Sequence, residues 1–154
     1  MNDADWIFSS LEKAAEKVDD LSPAVYARFF SAHPEARELF GEDEDYMIRG
    51  HMFSGILNAF MDQASGSIQP SAAFFWASDH IAYETTLPMF TSLFQALLAE
   101  LQGLLGPEWV PETDAAWRRQ FKLMLKEIES AYAAPRPTIT FGGSKPAGQG
   151  KPAA

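Results

Sequence analysis

Apolar residues recur at helical spacing along nearly the whole chain, and no convincing alternating stretch appears before residue 137. That pattern restricts the chain to an all-α fold, and prolines mark where its helices begin. Ser22 and Pro23 read as an N-cap and first helical position. Pro34 forces a break after His33 and can open a short helix ending near Phe40. Pro88 and Pro111 start two long runs, 88–105 and 111–132, the second with Trp117, Phe121, Met124, Leu125, Ile128 and Tyr132 on one stripe. Three more helices are predicted: 4–20, then 46–63 with Ile48, Met52, Phe53, Ile56, Leu57 and Phe60 facing inward, then 71–83. In the last of these Trp76 and His80 stand one turn apart. The total is about seven helices without an internal repeat.

A chain of 154 residues with 47% apolar content can close one core, burying roughly 70% of its unfolded surface. We expect one domain over 1–133, followed by a flexible Pro/Gly/Lys-rich tail over 134–154. The glycines of "FGGSKPAGQG" neither follow a core strand nor open a helix, so they do not read as a phosphate cradle.

Several functions are disfavoured by composition. A net charge of −9 argues against nucleic acid or an anionic membrane as partner. The absence of cysteine rules out disulfides, thiolate catalysis and cysteine-held metals. No apolar run approaches the ~18 residues of a membrane span, and "MNDADWIF" lacks the basic start of a signal peptide, so a cytoplasmic location is expected. Asp43 and Glu44 lie in the acidic run "GEDED" and read as solvated. The chain has only three histidines, His33, His51 and His80.

Two segments carry a resemblance. "YARFFSAHPEARELF" and "HIAYETTLPMFTSLFQALLAELQGLLGPEW" resemble, in order and with compatible spacing, segments of bacterial globins. The chain resembles single-domain haemoglobins and the globin part of flavohaemoglobins, and the likeness covers residues 5–132. It implies a globin fold around haem b, a covalent attachment being excluded without cysteine. His80 would be the axial iron ligand, with Trp76 packing the porphyrin edge. Phe40 would stack on the haem face, and the Tyr26 hydroxyl would donate a hydrogen bond to a bound gas molecule.

On the distal helix such relatives usually carry Gln or His, where the apolar pattern here places Ile48, with Met52 one turn on. Met52 reads as apolar wall, with a role as iron ligand as the alternative. Arg49 either precedes the helix or reaches a haem propionate. His51 is read as solvent-facing, as a propionate partner or as a sixth iron ligand. On the proximal side many relatives use a Tyr and a Glu to hydrogen-bond the axial His; the matching positions here are Phe90 and Tyr132, and Phe90 cannot hydrogen-bond. His33 reads as junction packing and Tyr83 as packing.

The resemblance implies reversible binding of dioxygen, nitric oxide or carbon monoxide, with nitric-oxide dioxygenation only if a separate, unidentified reductase supplies electrons. A haem-based sensor acting through a partner protein is the alternative reading, and a haem-free interaction module is a third. Oligomeric state is left open.

Overall fold

The computed structural model describes residues 1–44, 46–67 and 71–135, the side chains of 71–75 excepted. Most of the predicted tail, including the glycine-rich stretch, lies outside the described residues. Six α-helices carry the fold: α1 (Asp3–Lys17), α2 (Ser22–Ala32), α3 (Met47–Ala64), α4 (Ser71–Ala82), α5 (Leu87–Leu105) and α6 (Pro111–Ala133). Short 3-10 segments, Pro34–Phe40 and Gly106–Glu108, join α2 to α3 and α5 to α6. No strand occurs among the described residues, in keeping with the all-α reading.

Local chemistry sets the helix ends. Asn2 accepts from the Asp5 amide while the Asp5 carboxylate accepts from the Asn2 amide, a capping box that starts α1. At α2 the structure departs from expectation by one residue, with Leu21 as N-cap. The cause is Asp20, whose Oδ1 accepts from both the Ser22 amide and hydroxyl and so draws that hydroxyl away from a capping role. His33 sits at the junction before Pro34, its Nδ1 2.9 Å from Glu35 Oε1 and its Nε2 2.8 Å from Ser92 Oγ on α5.

The core lies where α1, α3, α5 and α6 meet. Phe60 is its aromatic hub, with ring centroids 5.0 Å from Phe94, 5.6 Å from Trp117 and 4.9 Å from Phe121. Fully buried Trp117 donates its indole N–H to Ser10 Oγ at 2.9 Å, and Ser10 in turn donates to the Ile7 carbonyl. A polar chain fastens α1, α3 and α6 at another point. Gln63 donates to Gln120, and Gln120 and Arg119 both donate to Asp3. Further along, the Tyr132 hydroxyl donates to the Thr85 carbonyl, joining the end of α6 to the α4–α5 turn.

One expectation is overturned at the entry to α3. Asp43, read as solvated, is buried, whereas Glu44 is exposed. Its carboxylate accepts from the amides of Ile48 and Arg49, at 3.0 and 3.1 Å, and from Arg49 Nε at 3.0 Å. The first turn of α3 has free amides and no side-chain cap from its own N-cap residue, so a carboxylate folded back from the preceding corner satisfies them. The reversal runs through Tyr46, whose φ of 57° is in the left-handed region. No helix among the described residues is long and apolar enough to cross a membrane.

Candidate cofactor-binding site

A cavity of about 240 Å³ opens between α3 and α4, closed at its sides by the 3-10 segment and α5. Phe40, Ile48, Met52 and Ile56 line one wall. Trp76, His80, Met89 and Phe90 line the other. Spacing explains the first wall, because Ile48, Met52 and Ile56 recur every four residues and share one face of α3. The same geometry puts Trp76 and His80 together on α4, with ring centroids 4.6 Å apart.

His80 is held in a defined state. Its Nδ1 lies 2.8 Å from the Trp76 carbonyl oxygen. A carbonyl can only accept, so Nδ1 carries a proton, and in the neutral ring the in-plane lone pair is therefore on Nε2. Phe90 packs edge-on against the ring at 5.6 Å and leaves the imidazole without a further hydrogen bond from that side. Among the described residues no group of three or more His, Cys, Asp or Glu could hold a bare metal ion. One neutral imidazole on the wall of an apolar slot suits a metal that arrives already chelated by a planar, largely apolar macrocycle. The residues present therefore fit haem.

Tyr26 does not line this cavity but packs against Phe40, which does, within an aromatic cluster, its ring centroid 5.4 Å from Phe40 and 6.4 Å from Phe53. Its hydroxyl is buried and has no hydrogen-bond partner among the described residues. Burial pushes the phenol well above its usual range, opposed by the nearby Arg49 charge, so the group remains a proton donor. An unpaired buried hydroxyl is costly and calls for an acceptor.

Of the residues singled out from sequence, Phe40, Ile48, Met52, Trp76, His80 and Phe90 line one cavity. Tyr26 stands just behind Phe40. Arg49 and His51 lie elsewhere. The Arg49 guanidinium is engaged by Asp43 and stacks over the Tyr46 ring at 3.9 Å, and His51 is exposed and off the cavity wall. Ile48 belongs to the wall but is half-exposed, so it forms part of the mouth and not of the interior. Tyr83, expected to pack, is exposed at the same mouth. Sequence reasoning passed over Phe29, Met89 and Leu93, which also line the cavity. Phe29 is one turn beyond Tyr26 and Leu93 one turn beyond Phe90, so helical spacing from chosen residues could have found those two.

Compared with protein families, residues 23–128 match the family model described as Globin. A comparison with curated proteins returns no match.

Proposed function

Because this chain belongs to the globin family, we propose that it holds haem b through His80 and reversibly binds a diatomic ligand, dioxygen or nitric oxide, in the cavity between α3 and α4. Haem supplies a ferrous iron at which such molecules bind and leave. The observation that carries the reading is the His80 ring, with Nδ1 committed to the Trp76 carbonyl and Nε2 left as a neutral donor. Trp76, Phe90 and Met89 pack that side and exclude water, and Phe40 and Ile56 do so opposite. Among the described residues Tyr26 supplies the one buried hydroxyl without a partner, and it would donate to a polarised ligand bound beyond Phe40. A donor of that kind contributes about 1–3 kcal/mol, which is tenfold or more in affinity.

The apolar Phe90 beside His80 supports carriage over activation, because among the described residues Nδ1 is bonded to a backbone carbonyl and not to a carboxylate or phenol that would strengthen the imidazole as a donor. Nitric-oxide dioxygenation then requires electrons from a separate reductase. Titrating the purified full chain with haem tests the proposal. We expect one equivalent to give a Soret band that shifts under carbon monoxide, and His80→Leu to lose tight haem retention. Equal retention by His80→Leu would refute it.

A further inference from the structure

We propose that Met52 is the second axial ligand in the resting protein, its thioether sulfur placed opposite His80, and that a diatomic ligand binds by displacing it. The assignment rests on the haem reading above. It starts from which atoms the wall facing α4 can offer. The residues of α2, the 3-10 segment and α3 that line the cavity are Phe29, Leu39, Phe40, Ile48, Met52 and Ile56. Five are hydrocarbon, and among the described residues the sulfur of Met52 is the only side-chain atom on that wall with a lone pair to donate. His51, the nitrogen donor next in sequence, is exposed and off the wall.

Depth points the same way. Along α3 the lining stripe runs from Ile48 at the mouth, 49% exposed, to Ile56 on the floor, 2% exposed, and Met52 stands midway. Along α4 the lining residues run from exposed Tyr83, just past the helix end, back to half-buried Trp76, and half-buried His80 stands between them. Two ligand-bearing side chains therefore face the same level of one cavity from opposite helices. A thioether on three rotatable bonds can reach or withdraw without moving its helix. It is a neutral, soft donor of the kind that pairs with His on haem iron and raises the reduction potential. Met89, the other lining methionine, precedes Phe90, which packs on the His80 ring, so it belongs to the wall of His80 itself.

The test is spectroscopic and uses the full chain reconstituted with ferric haem. We expect a low-spin ferric spectrum with a long-wavelength sulfur-to-iron charge-transfer band. Met52→Leu, which conserves volume, should keep a Soret band but lose the sulfur band, turn the iron high-spin, lower the midpoint potential and, after reduction, speed carbon monoxide association. Met52→His should restore the low-spin state without the sulfur band, while Met89→Leu and His51→Ala should keep both the low-spin state and the sulfur band. A high-spin unaltered chain, or low-spin character that survives Met52→Leu or vanishes in Met89→Leu or His51→Ala, overturns the assignment and leaves the haem reading standing. No Soret band in the unaltered chain would overturn both.

Discussion

Tyr26 shows how one atom can set stability against function. Among the described residues its ring makes four aromatic contacts, yet its hydroxyl is buried without a partner. Tyr26→Phe keeps the ring and removes the orphan. We expect the haem-free protein to gain roughly 1 kcal/mol in urea unfolding, while the haem-loaded protein releases dioxygen about tenfold faster in stopped-flow mixing. Because burial pushes this phenol up from its ordinary 10.0, an alkaline ultraviolet titration should find one tyrosine that resists ionisation. Ser10 gives the opposite case, since Ser10→Ala would strand the Trp117 N–H in the core. A loss of roughly 1–3 kcal/mol is expected on urea unfolding.

Among the elements, α3 both carries the distal wall and depends on a remote cap. Burial alone would raise the Asp43 carboxyl, but the Ile48 and Arg49 amides and the Arg49 guanidinium hold it below its ordinary 3.8. A depressed carboxyl contributes stability above its unfolded value, and that contribution is lost as pH falls through the folded value. Asp43→Ala should therefore lower the melting temperature at neutral pH and weaken haem binding through Ile48 and Met52. The difference from the unaltered chain should shrink towards pH 3, and an equal difference at both pH values would count against the cap. The sequence announced α3 through the four-residue recurrence of Ile48, Met52, Ile56 and Phe60, because that periodicity is local. It did not announce Asp43, whose partners depend on a left-handed turn at Tyr46, a residue type that gives no such signal. The placement of Arg49 followed from the same unseen turn.

For the molecule as a whole, the helical count and the proline starts were readable because each rests on neighbours within one or two turns. The cavity was readable only in part. His80, Trp76 and Phe90 came from the resemblance, whereas the Nδ1 bond to the Trp76 carbonyl and the orphaned Tyr26 hydroxyl exist only once helices are packed. Acid response also belongs to this scale. Asp3 is lowered mainly by its bond from Arg119, Asp114 by Arg118 and Glu108 by Lys17, and all three are paired near the surface. Their contributions hold above about pH 4 and fade below it, weakly because exposed pairs are screened. A shallow loss of stability below that pH, flattened further by salt, is the expected outcome in circular dichroism.

The bond from the Tyr132 hydroxyl to the Thr85 carbonyl bears on where this protein can be cut or extended. A reporter spliced on after Pro135 leaves that clasp closed. The same reporter joined at residue 128, where the family match ends, discards Tyr132 and releases the turn that carries Thr85 along the cavity wall.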